Sequence, residues 1–341
     1  MAAGSGLLPR NLDGTGVEVS ALGFGCVRLT THRDERDALA TLEHAFSLGI
    51  THFDVARVYG FGRAEAILGT FLRGKRDRVT VATKFGLTPP AGLARSRFAV
   101  SLAKKVLGPF PALLRRLKSY GSSQVSAGRF SPQDAVTSLE SSLRALGTDY
   151  VDVLLLHEAT GGEASSAALV DALERQTRRG TIRSFGVASA FDTIAPALAM
   201  LPDAYRVLQF ENHAGRRTAA SVPRSGRGLI THGVFAPARA LTDAIAAHPA
   251  ATDTHSARLG LNLRDGKVIA ALLLQYALEA NADGSVLFSS TDRAHIGFNV
   301  ECAERRPFDS RQCAGFLEFV DALLSSGGPV ASAAGSGRTT T

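Results

Sequence analysis

The chain has 341 residues, of which 45% are hydrophobic and 20% are charged. This composition supplies a large apolar core and excludes an intrinsically disordered protein, which would carry fewer apolar and more charged residues. The 38 Lys and Arg exceed the 31 Asp and Glu by seven, and a basic balance raises the question of a nucleic-acid or anionic-membrane partner.

Apolar runs of strand length alternate along the chain with longer segments of helical period. This alternation is typical of βα units around a parallel sheet. The eight predicted strands are residues 21–27, 51–55, 79–83, 150–156, 182–187, 205–210, 229–235 and 285–288.

The helices between these strands have recognisable ends. Ser131 precedes Pro132 and, three residues later, Asp134, which is typical of a capping box with proline in the first turn. Gly49 and Gly147 stand where helices should stop. The predicted helices are residues 34–48, 63–73, 132–146, 166–179, 193–200, 267–281, 293–304 and 310–324.

Eight strands with intervening helices predict a fold of class α/β, a single closed (β/α)₈ TIM barrel. The unit between the sixth and seventh strands is the weakest, because residues 211–228 hold little helical pattern. Residues 10–20 predict an N-terminal β-hairpin with its turn at Asp13 and Gly14, which would act as a lid on the bottom of the barrel.

The predicted domain organisation follows from this pattern. The barrel occupies residues 10–325, after a flexible N-terminus at residues 1–9 and before a disordered tail at residues 326–341. Residues 87–130, 212–228 and 236–266 are interpreted as the specificity loops, and none of them has a spacing that identifies the shape of a pocket.

An extended basic insertion, residues 87–130, follows the third predicted strand. It contains eight basic residues and no acidic ones; removing these eight from the 38 leaves 30 basic against 31 acidic residues. Three interpretations stay open: a solvated flap over the pocket, a basic rim that attracts an anionic cofactor or acidic substrate, and a docking surface for a membrane or partner. No nucleic-acid partner is expected, because few aromatic residues are interleaved with the basic ones.

The cysteines and the lengths of the apolar stretches indicate the cellular location of the protein. Cys26, Cys302 and Cys313 are an odd number without a Cys-x-x-Cys or Cys/His spacing, which excludes a disulfide framework and predicts no metal site. We therefore expect a cytoplasmic protein. The N-terminus lacks a signal-peptide pattern, and the most apolar stretch, residues 268–278, is short, so no membrane span is expected.

Polar residues cluster at the predicted carboxyl ends of the strands, where the active sites of TIM barrels lie. Because separate strands aim these groups at one mouth, they are the candidate site residues. They are Asp54, Tyr59, Lys84, His157, Ser189, Gln209, Thr231, His232, Ser289, Ser290 and Thr291.

Four ordered motifs at these strand ends resemble the aldo-keto reductases. The similarity runs from about Leu12 to Val300. The resemblance implies an NAD(P)-dependent oxidoreductase that reduces an aldehyde or ketone, or oxidises the corresponding alcohol or sugar, by hydride transfer. The motifs are residues 49–65 with 68–69, 81–84, 149–157 and 180–187.

The resemblance assigns four catalytic roles. Tyr59 would be the general acid, and the Lys84 ammonium would lower its pKa by favouring the phenolate. Asp54 would pair with Lys84 and hold it in place. His157 would orient the substrate oxygen.

The resemblance also implies a dinucleotide site, with departures from the family pattern. Ala188 and Ser189 replace a Ser-Asn pair that holds the carboxamide, whereas Gln209 matches. The complete set of cofactor candidates is Ser189, Gln209, Thr231, His232, Ser289, Ser290, Thr291, Arg293, His295 and Asn299.

The departures continue after the last strand. Alignment on Asn299 places Ser289, Ser290 and His295 where many members carry a Lys-Ser pair and an arginine for the adenosine 2′-phosphate. Ser290, Thr291 and Arg293 could hold a phosphate, or the two hydroxyls could cap the next helix. The resemblance favours NADP(H), and NAD(H) stays an alternative.

A function from another class also stays open. The barrel could bind a cofactor with little turnover and serve as a regulatory or docking subunit through the insertion. The four catalytic candidates favour the enzyme, whose partner would be a small carbonyl or alcohol substrate. The sequence does not predict the oligomeric state.

Overall fold

The computed structural model describes residue 7 and residues 9–87, 128–223 and 226–325. Two short strands precede eight others, and most of these elements are only four to seven residues long. The strands are β1 Pro9–Leu12, β2 Val17–Ser20, β3 Leu22–Gly25, β4 His52–Asp54, β5 Thr80–Phe85, β6 Val151–His157, β7 Ile182–Ala188, β8 Val207–Glu211, β9 Gly228–His232 and β10 Ser285–Phe288.

Helices follow most of these strands and cover the outside of the sheet. The described helices are α1 Glu35–Ser47, α2 Arg63–Leu72, α3 Pro132–Leu146, α4 Gly161–Ala164, α5 Ala167–Arg178, α6 Phe191–Ile194, α7 Ala238–Ala247, α8 Pro249–Leu259, α9 Gly266–Ala280, α10 Arg293–Arg305 and α11 Ser310–Ser325.

Strands β3 to β10 form a closed parallel barrel in sequence order, with β10 paired to β3. The register places Asp54 beside Gly25 and beside Ala82, while His157 lies beside Ala188. All carboxyl ends therefore meet at one mouth. This confirms the predicted TIM barrel.

The first two strands close the opposite end of the barrel. β1 and β2 pair antiparallel, with Leu12 opposite Val17. Leu12, Val17 and Val19 pack into one buried cluster with inward-facing residues such as Val153 and Ile230. The predicted hairpin lid is confirmed.

Several local signals are also confirmed. The Ser131 hydroxyl accepts a hydrogen bond from the backbone N–H of Asp134, and the Asp134 carboxylate accepts one from the backbone N–H of Ser131. Gly147 ends α3 in the left-handed conformation, with φ of 63°. Between β8 and β9 the described residues form a short 3₁₀ turn, Thr218–Ser221, and no α-helix, as the weak pattern indicates.

Three predicted elements are wrong in detail. The seventh barrel strand ends at His232 rather than at residue 235, because Gly233 is left-handed with φ of 84°. The predicted helix 193–200 is a single α turn followed by a 3₁₀ segment, Ala195–Met200. The segment 236–266, interpreted as a loop, contains α7 and α8.

Most of the basic insertion (88–127) and the tail (326–341) lie outside the described residues. The two flanks of the insertion meet beside the carboxyl end of β5. The backbone N–H of Arg129 donates to the carbonyl of Gly86 at 2.9 Å, and the rings of Phe85 and Phe130 pack edge to face at 6.0 Å. The two described flanks of the insertion therefore lie next to each other on the barrel.

Hydrophobic segments long enough for a bilayer are not found among the described helices, and none of those helices could cross a membrane.

Candidate active site

A buried ion pair lies at the mouth of the barrel. Asp54 is the last residue of β4, and Lys84 lies near the end of the adjacent β5. The Lys84 ammonium donates to the Asp54 carboxylate and to the carbonyl of Val55, the latter at 3.2 Å. Both side chains are almost fully buried, at 2% and 4% exposed. Each charge replaces the hydration that the other has lost.

Lys84 stays protonated in this environment. Burial alone lowers the pKa of the amine, but the interactions with Asp54 first, and then with Tyr59, outweigh burial and raise the pKa above its usual value. The site therefore holds a permanent ammonium at neutral pH.

Tyr59 is positioned by a tight turn after β4. The turn Tyr59–Gly62 places Gly60 at φ of 56°, and a Cβ there would lie 2.3 Å from the Cγ2 of Thr30. Glycine is therefore required at this close approach. Phe61 also has a positive φ, of 59°, and its side chain is 42% exposed beside the mouth.

The turn brings the Tyr59 ring beside the other predicted catalytic groups. The Lys84 Nζ lies 5.3 Å from the centroid of the ring. The ring of His157 lies 6.2 Å from it, at 86°. Asp54, Tyr59, Lys84 and His157, distant in sequence, thus form one cluster.

The pKa of Tyr59 differs from the expectation. Burial raises the pKa above its usual value, and the opposing effect of the Lys84 ammonium, through charge and hydrogen bonding, does not cancel it. The expected lowering by Lys84 exists but is outweighed. The phenol is therefore protonated throughout the neutral range.

His157 ends β6 and is half-buried at the mouth. Burial, followed by the nearby Lys84 ammonium, lowers the pKa of the imidazole to about 3. The ring is therefore neutral above mildly acidic pH and can take part in hydrogen bonds without adding charge.

Two of the predicted cofactor residues are buried at the same end of the barrel and are already hydrogen-bonded. Gln209 Nε2 donates to Asp54 Oδ2 at 2.8 Å. The Ser189 hydroxyl donates to the carbonyl of Ala159 at 2.8 Å and keeps its oxygen free to accept. Gln209 thus belongs to the ion-pair cluster, a role that the sequence did not reveal.

The seventh strand contributes one group to the mouth and not the other. His232 ends β9 on the solvent side of the mouth, and desolvation by the surrounding protein lowers its pKa. A positive charge on His232 would in turn lower the pKa of His157. Thr231 is fully buried, and its hydroxyl accepts a hydrogen bond from Asn281 at 3.2 Å. Alternate strand residues face opposite sides, so Thr231 faces the helices.

The loop after β10 begins α10 with a carboxylate. Asp292 Oδ1 accepts a hydrogen bond from the backbone N–H of Ala294 at 2.8 Å and caps the helix. Ser290 Oγ accepts one from the backbone N–H of Asp292, while Thr291 is exposed. The Ser289 hydroxyl is buried and has no hydrogen-bond partner among the described residues. The cap considered for Ser290 and Thr291 therefore belongs to Asp292.

The three remaining candidates lie on α10. Arg293 and His295 are exposed in its first turn, and His295 Nε2 lies 3.9 Å from the Asp292 carboxylate. Asn299 is buried one and a half turns later, at 4% exposed. Of the three, only Arg293 and His295 present exposed side chains to the solvent.

A buried glutamate links the two halves of the ion-pair cluster. Glu65 in α2 accepts a hydrogen bond from the Thr83 hydroxyl at 2.8 Å and faces an Arg57 nitrogen at 3.4 Å. Burial raises the pKa of its carboxyl against these partners. Arg57 lies two residues before Tyr59, and Thr83 precedes Lys84, so Glu65 ties the tyrosine loop to the lysine strand.

The sequence contained a signal for each missed residue. Glu65 ends the first motif. A carboxylate in the buried first turn of a helix needs a hydrogen-bond or ion-pair partner, and this need was the signal. Asp292 directly precedes a predicted helix, a position that carboxylates commonly cap. Among the described residues, no group of three His, Cys, Asp or Glu side chains is arranged to hold a metal.

Comparison with known proteins identifies the family to which this chain belongs. A model of the Aldo/keto reductase family matches residues 21–202. The chain is 33% identical over 181 residues to a 6-dehydroglucose reductase of Agrobacterium fabrum, which covers 51% of each chain. The chain spans about half the length of this curated relative.

Solved structures of low sequence identity share the fold. An aldo-keto reductase of Bacillus halodurans in its holo form superposes with a TM-score of 0.70 at 20% identity, covering 92% of this chain and 96% of that one. An aldo/keto reductase of Klebsiella pneumoniae in complex with NADP and acetate gives 0.61 at 21% identity, covering 92% and 94%. Together with the match over more than half of the sequence, the barrel and its mouth establish that this chain belongs to the aldo/keto reductase family.

Proposed function

We propose that this protein is a nicotinamide-dependent oxidoreductase that reduces an aldehyde or ketone, or oxidises the corresponding alcohol or sugar, with residues 10–325 as the catalytic domain. The observation that carries the proposal is the cluster of a protonated phenol, a permanent ammonium and a neutral imidazole at one mouth of the barrel. A regulatory or docking subunit with little turnover would not need these three groups together.

Tyr59 is the proposed general acid. Because burial keeps its phenol protonated, it can donate the proton that a carbonyl oxygen requires as negative charge develops there. The Lys84 ammonium then stabilises the phenolate that remains. In the oxidation direction the same phenolate accepts the proton from the alcohol.

Asp54 and Gln209 are proposed to hold Lys84 in position. Lys84 contacts one oxygen of Asp54 and Gln209 contacts the other, so the carboxylate cannot rotate without losing a hydrogen bond. Asp54 also keeps the ammonium charged in a buried site.

His157 is proposed to orient the substrate oxygen. Its imidazole is neutral and lies beside the Tyr59 ring, so an N–H of the ring can hydrogen-bond to an oxygen placed between them. A second positive charge here would oppose Lys84, and the lowered pKa of His157 avoids it.

A nicotinamide dinucleotide, NAD(H) or NADP(H), would supply the hydride when bound. The residues at the mouth fit such a group. Ser289 carries a buried hydroxyl that lacks a partner among the described residues, and Ser189 keeps a free acceptor. The complex of the Klebsiella pneumoniae relative favours NADP(H).

The substrate is proposed to be a small carbonyl compound or the matching alcohol, with sugars included. The relative from Agrobacterium fabrum is described as a 6-dehydroglucose reductase, which supports a polyhydroxylated carbonyl as the first compound to try. A cytoplasmic location is proposed because all three cysteines are free thiols, as is usual in reducing compartments.

The test is a spectrophotometric assay of the purified protein with NADH and NADPH against small aldehydes, quinones and aldoses. We expect loss of reduced-cofactor absorbance with at least one class of carbonyl. Cofactor binding without turnover on any of them would contradict the proposed catalysis and would favour the regulatory or docking subunit.

A further inference from the structure

A cavity lies at the end of the barrel opposite to the candidate active site. It has a volume of about 330 Å³ and is bordered by the turn of the β1–β2 hairpin, the last turns of α5 and the starts of β7 and β8. We call it the basal cavity. Small-molecule sites in proteins begin at about this size.

The lining of the basal cavity is basic. Its charged residues are Glu174, Arg178, Arg183 and Arg206. Glu174 is paired with Arg178, at 3.6 Å between the charged atoms. Arg183 lies 3.0 Å from the buried Asp152, but that carboxylate is also paired with Arg76, at 2.7 Å. An excess of positive charge therefore remains on the cavity wall.

Arg206 carries the guanidinium of this wall that is not paired. Among the described residues, no carboxylate forms an ion pair with it. Its backbone N–H donates to the carbonyl of Phe185 at 2.9 Å, and its carbonyl accepts from the N–H of Gly228 at 2.8 Å. Its Cδ lies 3.6 Å from the position that a Cβ of Gly14 would take. The start of the side chain is therefore fixed beside the hairpin turn, and the planar guanidinium can bind two oxygens of one anion.

Ser184 adds an unused hydrogen-bond donor to the lining. It is the third residue of β7 and is 4% exposed. Its hydroxyl is buried and has no hydrogen-bond partner among the described residues, which is costly unless a ligand supplies one. The other hydroxyls of the lining are in use. Those of Thr15 and Thr177 donate to the carbonyls of Leu12 and Leu173 at 2.7 and 3.1 Å.

The end of α5 opposes an anion, because the carbonyl end of a helix carries partial negative charge. Its last carbonyls are already bonded, however. The backbone N–H of Gly180 donates to the carbonyl of Thr177 at 2.9 Å, and that of Thr181 donates to the carbonyl of Gln176 at 3.1 Å. Arg178 lies in the same last turn, and its charge offsets the helix dipole.

We propose that the basal cavity binds a phosphate-bearing small molecule, either free phosphate or a phosphate monoester. Arg206 binds two of the phosphate oxygens, the Ser184 hydroxyl donates to another, and Arg178 and Arg183 add charge. Phosphate suits this set of donors because it carries about two negative charges at neutral pH and at least three terminal oxygens. The site lies away from Tyr59, so its occupancy does not depend on the proposed oxidoreductase reaction.

Calorimetric titration of the full chain with inorganic phosphate tests the proposal, with potassium chloride of equal ionic strength as the reference. We expect saturable binding of phosphate. Arg206→Gln changes an exposed side chain, so the fold should persist, and the dissociation constant should rise at least about tenfold. Ser184→Ala should also weaken binding. Without phosphate its free energy of unfolding should not fall, because the hydroxyl that is lost has no partner.

Arg179→Gln is the matched control. Arg179 follows Arg178 at the end of α5 and is exposed, but it does not line the basal cavity. This variant should keep the wild-type affinity for phosphate. An equal loss in Arg179→Gln and Arg206→Gln would mean that general surface charge attracts the anion and would overturn the proposal. The absence of saturable binding by the wild type would overturn it as well.

Titrations with glucose 6-phosphate and with glucose distinguish the two sources of the phosphate group. Tighter binding of the ester than of free phosphate, weakened in Arg206→Gln, would support the site and assign it to a phosphorylated metabolite. Equal affinities, both weakened in that variant, would support it as a site for free phosphate. Glucose binding as tightly as its phosphate ester would show that the phosphate is not recognised and would contradict the proposal.

Discussion

Gln209 Nε2 lies 2.8 Å from Asp54 Oδ2, across 155 residues of sequence and several strands of the barrel. This bond fixes the carboxylate oxygen that Lys84 does not contact, so the buried ion pair has a third member. The orientation of the ammonium under Tyr59 therefore depends on an amide from the sixth barrel strand.

Replacing Gln209 by Leu should lower kcat about tenfold, because Asp54 loses the contact that holds it against Lys84. A hydrogen bond to a charged group contributes about 1.5–3 kcal/mol, so the free energy of unfolding should also fall. Steady-state kinetics and urea denaturation measure the two effects.

Gln176→Leu provides the control for that loss of stability. Its buried amide oxygen accepts a hydrogen bond from Thr181 at 2.9 Å, just before β7, away from the mouth. This variant should lose stability and keep kcat. If Gln209 had only a structural role, both variants would lose stability and keep kcat.

Tyr59→Phe should reduce turnover at least about a hundredfold while leaving the circular dichroism spectrum and dinucleotide affinity near those of the wild type, because only the general acid is lost. Tyr205→Phe removes another buried phenol, whose hydroxyl has no partner among the described residues. That control should turn over normally. Comparable turnover in the two variants would refute the role of Tyr59.

The rate of carbonyl reduction should be nearly constant from mildly acidic pH to about pH 9 and fall only above about pH 10. Reduction needs the protonated phenol, and burial raises the pKa of Tyr59, which moves its loss to more alkaline pH. His157, with a pKa of about 3, stays neutral across this range. A pH–rate profile with an inflection near pH 6.5 would show instead that an imidazole titrates during turnover.

Stability should fall as the pH drops from about 6.5 to 4. His52 is fully buried, with its Nδ1 2.9 Å from Thr80 Oγ1, and burial lowers its pKa to about 4. Between these two pH values the unfolded chain binds a proton at this histidine and the folded chain does not. The free energy of unfolding therefore falls by up to about 3 kcal/mol at acidic pH. His157 acts in the same direction.

Urea unfolding at several pH values tests this linkage. His52→Asn should show a shallower decline of the free energy of unfolding with acidity than the wild type, whatever its stability at neutral pH. The exposed His248, changed to Asn, should retain the wild-type slope. Equal slopes in all three proteins would exclude His52 as the acid-sensitive group.

The barrel was predictable because its strands are short apolar runs between helices with clear ends. The capping box at Ser131 and the left-handed Gly147 could be read directly from residue types. The helices α7 and α8 could not, because their alanine-rich sequence leaves much of both helices exposed and gives a weak pattern of burial.

The four residues proposed as catalytic were predictable because Asp54, Lys84 and His157 lie at strand ends, Tyr59 lies in the loop after β4, and the family resemblance implies their roles. Their protonation was not, since the pKa of Tyr59 depends on how burial and Lys84 balance in three dimensions. Thr231 was misplaced because the prediction did not apply strand alternation, which turns it away from the interior. Asp292 was not predicted because the family pattern points to the residues on either side of it.

The hydrogen bond between Arg129 and Gly86 joins the two flanks of the basic insertion at the rim. The segment between these two residues can be lengthened, shortened or exchanged without shifting any strand of the barrel, because its two ends lie within hydrogen-bond distance of each other. Evolution can therefore change the sequence between these two positions independently of the chemistry at the mouth, and an engineer can insert a different segment there.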